Sequence, residues 1–385
     1  MFCSSPPRSR RGVRTALLVA LTSAWLVACG NAGATIMMSA GGGTTTAPNP
    51  KLTTTQQAGA RVIYSYAGLQ PPASMLAQIR AGEVGGVIFF GSNVSSLDQI
   101  RGVIAQLQKA AKASPLRLPL LLMTDQEGGE VRRLPGAPVM SEKEIGESPA
   151  ATTLAGRAGT GAGRLLGSVG MNVNLAPVLD VYRTPGDFDD QFQRSYSSNP
   201  AKVATLGSAF VTAQQKTGVA ATVKHFPGLG AAAASQNTDE RPVTLNVPLA
   251  QLRSVDERPF RAAIAAGAKL VMTSWAVYPA LDPSRPAGLS SRWIGGELRG
   301  RLGFRGVTIT DSIDAGALTA YGSLGNRAVL AANAGADLIL CSQPSSGAQG
   351  ISVVRALAHA ISTGQVSKAA TRASVARILA LRAHP

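Results

Sequence analysis

Eight short runs of aliphatic and β-branched residues, each followed by a longer stretch of helical period, constrain this chain more than any other feature. The runs cover residues 61–66, 86–90, 118–125, 174–179, 220–225, 270–274, 306–311 and 337–340. Helical spacing predicts helices over 74–81, 97–113, 150–169, 201–217, 252–266, 292–302 and 325–334, then 350–362 and 367–382. Near-continuous apolar strands alternating with helices imply a parallel sheet covered on both faces. Eight of them imply closure into a single (β/α)8 TIM-like barrel of the α/β class. An open doubly wound sheet is the alternative, but no Gly-x-Gly-x-x-Gly follows the first run. With 45% hydrophobic and 15% charged residues, the composition is globular rather than disordered.

In such a barrel, functional groups gather at the C-terminal ends of the strands. Several runs here end in polar residues. The third ends Thr124-Asp125-Gln126-Glu127-Gly128-Gly129, the fifth Lys224-His225-Phe226-Pro227-Gly228, the sixth Thr273-Ser274-Trp275, and the seventh Thr310-Asp311-Ser312. A lone aspartate at a strand end is often only the N-cap of the next helix, and a lone histidine is more often structural than catalytic. Charged groups converging from several strands on one rim are costly unless a ligand uses them.

These residues resemble glycoside hydrolase family 3, in its β-N-acetylhexosaminidase branch. Asp125 to Gly129, followed by Val131 and then Arg133-Leu134, is similar to the family's sugar-binding segment. Lys224 to Gly228 resembles its most recognisable motif, and Phe304 to Val307 leading to Thr310-Asp311 resembles its nucleophile strand. Arg194 in Gln193-Arg194-Ser195-Tyr196 is similar to the family's arginine after the fourth strand. The resemblance runs in order from Arg61 to Leu340. It implies that Asp311 is the nucleophile and that Asp125, Arg133, Arg194, Lys224 and His225 hold sugar hydroxyls. A carboxylate at that position forms a glycosyl-enzyme, which water resolves with retention.

The chain departs from the pattern at the acid. The branch carries an Asp-Ser-His triplet after the Lys-His-Phe-Pro-Gly motif. By spacing, Ser235, Gln236 and Asn237 stand there, and none of these donates a proton usefully near neutral pH. Carboxylic acids serve this role in most glycosidases, so Asp239 is the expected substitute, with Glu240 second, on a glycine- and alanine-rich loop free enough to close over a sugar. Ser312 also replaces the aspartate that often follows the nucleophile. Three readings remain: a retaining β-N-acetylhexosaminidase acting on cell-wall-derived glycans, a β-glucosidase-type hydrolase, and a glycan-binding lipoprotein with little turnover.

The N-terminus sets location. Arg8 to Arg14 form a basic segment, residues 16–28 are mostly apolar, and Leu26-Val27-Ala28-Cys29 resembles a bacterial lipobox. The expected organisation is a signal peptide over 1–28, a flexible tether over 29–50, and a catalytic domain over 51–385. Cys29 would be the lipidation site, anchoring an exported protein to the outer face of the cell membrane. Arg10-Arg11 leaves both the general secretory and twin-arginine routes open. The formal net charge is +16, yet the basic residues form no dense stripe and no nucleic-acid motif, so a nucleic-acid partner is not expected. No metal-ligand cluster or nucleotide loop is visible, so neither metal nor cofactor is expected, and a monomer is the expected state.

Overall fold

The computed structural model describes residues 52–343 and 347–385. The expected signal peptide, Cys29 and the whole of the expected tether, 29–50, lie outside the described residues. Eight parallel strands close into a barrel: β1 (Val62–Tyr64), β2 (Gly86–Ile88), β3 (Leu121–Thr124), β4 (Val173–Asn174), β5 (Ala220–Phe226), β6 (Leu270–Thr273), β7 (Val307–Ser312) and β8 (Leu338–Leu340). Each pairs with its sequence neighbours, and closure comes from β1 against β8, with Val62 opposite Ile339 and Ile63 opposite Leu340. All eight expected runs are strands, arranged as the expected (β/α)8 barrel.

The side-chain period of two sorts each strand into an inner and an outer face. Ile63, Ile88, Leu121, Met123, Val173, Leu270, Met272, Val307, Ile309 and Leu338 meet inside the barrel. Val62, Tyr64, Val87 and Leu122 on one side, and Val223 and Val271 on the other, face outward into the layer beneath the helices. The helix Leu97–Lys112 shows why such stretches coil. Ile100, Val103, Ile104, Leu107, Ala110 and Ala111 recur at three- and four-residue spacing and are all buried. The Ser96 side chain accepts from the Gln99 N–H at 3.1 Å, while Asp98 opens the helix and Lys109 and Lys112 close it, with the dipole. Fully burying Leu107 contributes about 1.5–3 kcal/mol.

The last helix, Lys368–Ala383, lies across the bottom of the barrel. Its Ile378 and Leu381 join the interior cluster, and Arg382 donates to the carbonyls of Pro119 (2.8 Å) and Leu118 (3.0 Å) just before β3. This helix closes the N-terminal mouth and leaves the other end open.

Three details depart from the sequence reading. Of the fourth run only Asn174 is ladder, as the end of Val173–Asn174, and the chain then continues with a single bridge from Val178 to Lys224. A short helix, Thr54–Gly59, precedes β1. Residues Leu252–Asp256 and Arg292–Arg301 are π-helical rather than α-helical. The wider π turn puts Trp293, Ile294, Glu297 and Leu298 all on the buried side, and Glu297 receives two bonds from Arg253 of the other π segment, at 2.7 and 2.9 Å. A tertiary ion pair joining two segments far apart in sequence leaves no trace in a 3.6-residue period.

Candidate active site

The open end of the barrel holds a cavity of about 360 Å³. Asp125, Arg133, Arg194, Lys224, His225, Asp239 and Asp311, all chosen from sequence, line it together. They come from the ends of β3, β5 and β7 and from the loops after β3, β4 and β5. The register of β5 against β6 shifts between Val223 and Phe226. Such an irregularity re-aims side chains next to sites, and the consecutive Lys224 and His225 both reach the cavity.

One wall is an alternating charge network. Lys224 Nζ lies 2.8 Å from Asp125 Oδ1 and 2.6 Å from Glu127 Oε1. The Arg194 guanidinium grips both oxygens of Glu127, at 2.8 and 2.9 Å, and donates to Asp189 at 2.9 Å. Burial works against the charge on Lys224, but Asp125 and Glu127 outweigh it and raise its pKa. Burial likewise opposes ionised Glu127, and Arg194 and Lys224 together hold its carboxyl well below the usual range. Fully desolvated charges persist only when paired this closely, so the network is rigid as well as charged.

A second unit stands behind His225. Its Nδ1 lies 2.6 Å from Asp180 Oδ2, and Asp180 also accepts from the Leu229 N–H at 2.6 Å. Burial disfavours the imidazolium, but Asp180 reverses this and raises the His225 pKa. With Nδ1 engaged, Nε2 is the ring nitrogen left for a ligand. Burial, above all, pushes neighbouring Asp189 up to about 7. Asp180, Asp189 and His225 are the one grouping with metal-ligand reach among the described residues, their atoms lying within 4.8 Å of one another. Asp180 and His225 already satisfy each other there, which fits a ring-orienting hydrogen bond better than an ion site.

Asp311, next to last in β7, accepts from the Ser312 N–H through Oδ1 at 2.7 Å, while Trp275 Nε1 donates to the Ser312 carbonyl at 2.7 Å. Asp239 reaches the same cavity from the loop after β5. The negative charge of Asp311 is the main cause lifting its carboxyl to about 6. Burial adds to the rise, and His225 and Arg194 oppose it.

Glu240, the second candidate acid, does not line the cavity. It is exposed, pairs with Arg241 at 3.2 Å and accepts from Asn237 Nδ2 at 3.2 Å. Asp239 is exposed as well, but it lines the cavity and Glu240 does not. His359 and His384 sit exposed on the outer and C-terminal helices, away from the cavity. Backbone bonds also tie this loop to its neighbours. Phe188 N–H donates to the Ala232 carbonyl at 2.9 Å, and Gly316 N–H to the Asp239 carbonyl at 2.7 Å.

Sequence reasoning gave no role to Glu127, Asp180, Asp189 or Asp314. Glu127 lies inside the quoted Asp125–Gly129 run, and Asp180 directly follows the fourth apolar run, so both carried the strand-end signal. Asp314 lines the cavity three residues after Asp311, with Ser342 Oγ between it and Ser312, at 3.4 and 2.5 Å. Nothing in its local pattern marks it.

Comparison with known proteins agrees with this geometry. The family model described as "Glycosyl hydrolase family 3 N terminal domain" matches residues 57–381. An "Uncharacterized secreted glycosyl hydrolase" of Arthroderma benhamiae is 46% identical over 328 residues, covering 85% of this chain and 92% of the relative. A "Beta-hexosaminidase" of Xanthomonas oryzae pv. oryzae is 34% identical over 304 residues, covering 76% and 87%. Among solved structures, a family 3 beta-N-acetylglucosaminidase from a Paenibacillus species superposes with a TM-score of 0.81 at 37% identity, covering 86% of this chain. The chain spans only 62% of that enzyme. A Beta-N-acetylhexosaminidase from Beutenbergia cavernae gives a TM-score of 0.79 at 32% identity, covering 87% of this chain and 99% of its own.

Proposed function

The chain belongs to glycosyl hydrolase family 3, and we propose that it is a retaining glycosidase removing a terminal β-linked N-acetylhexosamine, chiefly N-acetylglucosamine, from cell-wall-derived glycans. One observation carries this reading. Two carboxylates, Asp311 and Asp239, share one cavity, and the charge of the first lifts the pKa of the second to about 6. Environments that push apart the protonation of paired carboxyls assign an acid and a nucleophile.

In the first step an Asp311 oxygen attacks the anomeric carbon. The bond to the leaving oxygen breaks as Asp239 delivers its proton there. In the second, Asp239 takes a proton from water, whose oxygen attacks the same carbon and frees Asp311, giving net retention. Asp125, Arg133, Arg194, Lys224 and His225 hold the sugar. Fixed donors and acceptors reject rings that lack the matching hydroxyls.

The pH dependence follows from the raised carboxyl. Below about 6, Asp239 holds the proton it must donate; above, it loses it. Hydrolysis of substrates with poor leaving groups is therefore expected to fall as pH rises through about 6, whereas dinitrophenyl glycosides, which need little protonation, keep their rate. The decisive assay compares aryl β-N-acetylglucosaminide with aryl β-glucoside, for wild type and Asp239→Ala, with and without azide. Asp239→Ala should lose roughly 10²–10⁴-fold in kcat/KM on poor leaving groups only, while its kcat on activated glycosides falls to the slowed second step and is restored by azide. Wild-type rates in this variant would place the acid elsewhere. A wild type that cleaves only activated glycosides would favour glycan binding, the reading that the altered triplet supports.

We also propose export and lipid anchoring at Cys29, with residues 1–28 removed, 29–50 as tether and 51–385 as catalytic domain. Leu26-Val27-Ala28-Cys29 supports this, and the Arthroderma relative is described as secreted. Cys29→Ala should accumulate unprocessed or leave the membrane fraction. An unmodified mature N-terminus at another residue, found by mass spectrometry, would overturn the anchor.

A further inference from the structure

The loop bearing Asp239 is short of apolar side chains, yet it is tied down along its whole length. Leu229 N–H donates to Asp180 at its start. Gly230 presses on Val181 so closely that a Cβ there would sit 2.2 Å from the Val181 oxygen. In the middle, the Ala232 carbonyl accepts from Phe188 N–H and the Ala234 carbonyl from Gln191 Nε2, both at 2.9 Å. At the far end, the carbonyls of Thr238 and Asp239 accept from the N–H groups of Ala317 (3.1 Å) and Gly316 (2.7 Å). Those donors belong to the turn Gly316–Tyr321, which follows Asp311 directly on the same chain segment.

Glycine at 316 has no conformational reason, because its φ lies outside the left-handed region. Its reason is contact. A Cβ would fall 2.1 Å from the Glu240 oxygen, 2.3 Å from its carbonyl carbon and 2.9 Å from its Cα. Any larger residue must push the Asp239 loop away from the strand that carries Asp311. Asn237, which stands by spacing where the family has histidine, acts on the same turn. Its Oδ1 accepts from the Asp239 N–H at 2.9 Å, and its carbonyl from Arg241 N–H at 3.1 Å.

We propose that Gly316 and Asn237 are positioning residues that hold the Asp239 carboxyl at a fixed distance from Asp311, so that this enzyme carries its proton donor on an already seated strap rather than on a loop that must close. The inference rests on the reading of Asp239 as acid. It gives the substituted triplet a role: with the histidine gone, its position supplies an acceptor that shapes the turn, and the next carboxylate does the chemistry. Proximity keeps Asp239 protonated against the influence of its other neighbours. Asp311 and Asp125 disfavour its ionised form, and His225 and Arg194 favour it. Moving the strap outward weakens the largest of these influences, that of Asp311.

The test is the full chain carrying Gly316→Ala, beside Asn237→Ala and Asn237→Asp, assayed on N-acetylglucosaminides of graded leaving-group ability. Gly316→Ala and Asn237→Ala should lose roughly ten- to a hundred-fold in kcat/KM on poor leaving groups, through kcat, and less than about three-fold on dinitrophenyl glycosides. The alkaline limb of the Gly316→Ala profile should move to lower pH, because a carboxyl farther from Asp311 gives up its proton more easily. Asn237→Asp keeps the acceptor and should restore the leaving-group profile. Equal losses on all leaving groups, or an unmoved alkaline limb, would overturn the proposal. If Gly316→Ala does not fold, the Asn237 pair decides alone. If Asp239→Ala shows no leaving-group dependence, the acid assignment itself has failed. If it does and the strap variants do not, only the positioning role has.

Discussion

Replacing Asp311 with asparagine is expected to lower turnover on the order of 10⁴-fold or more, through kcat, with folding intact. The amide is nearly isosteric and retains an oxygen to accept from the Ser312 N–H, so the local backbone bond at 2.7 Å survives. It cannot form a stable glycosyl ester. The variant should still bind product sugar, because Lys224, Arg194 and Asp125 are untouched. A mechanism-based 2-fluoro sugar should label Asp311 in wild type and leave the variant unlabelled. Labelling of Asp314, the other carboxyl beside it in the cavity, would reassign the nucleophile. One secondary effect gives an internal check. Neutralising residue 311 removes the main cause of the raised Asp239 pKa, so Asp239 should titrate lower in the variant.

Glu127→Gln should be the most destabilising single change in the site. Glu127 is fully buried and bonded to both Arg194 and Lys224. Removing its charge leaves two desolvated cations underpaired, at a cost of ~3–5 kcal/mol. Asp125→Asn should cost less, because Asp125 is part-exposed and makes only one of the Lys224 contacts. The dependence on pH has a definite sign. The folded Glu127 carboxyl titrates below its unfolded value of about 4.3, so its contribution is complete above that pH and is lost as pH falls toward the folded value. Thermal unfolding should therefore show a wild-type-to-variant gap that is constant near neutrality and narrows only in acid. A gap that widens in acid would contradict the pairing.

The barrel was legible in the sequence because buried parallel strands leave a strong signal. All eight apolar runs became strands, with ends displaced by a few residues. What failed was local. The fourth run reads as apolar to Leu179, and ending it there hid Asp180, the residue that orients His225. The π segments were invisible because the Arg253–Glu297 pair that joins them is tertiary and leaves no mark in a local period. The site was legible where motif residues sit on strand ends and less so on loops. Asp239 and Glu240 are adjacent, and only the fold shows which of them lines the cavity. A run of alanines and glycines resembles a tether, but here small residues let backbone lie on backbone at Val181 and Glu240.

The helix across the bottom of the barrel has a consequence for assembly. The ring cannot close until β8 meets β1, and its floor is not covered until Ile378 and Leu381 arrive from Lys368–Ala383. Pairing between such distant parts of a chain is slow, because loop-closure entropy must be met before the contacts form. A polypeptide still emerging from the ribosome therefore lacks both the closing strand and the floor of its barrel. That is a form chaperones recognise and an unfolded-chain translocation channel can thread. Trimming the final helix should leave the barrel floor uncovered, seen as dye-binding, protease-sensitive protein, even though every residue of the catalytic mouth would remain.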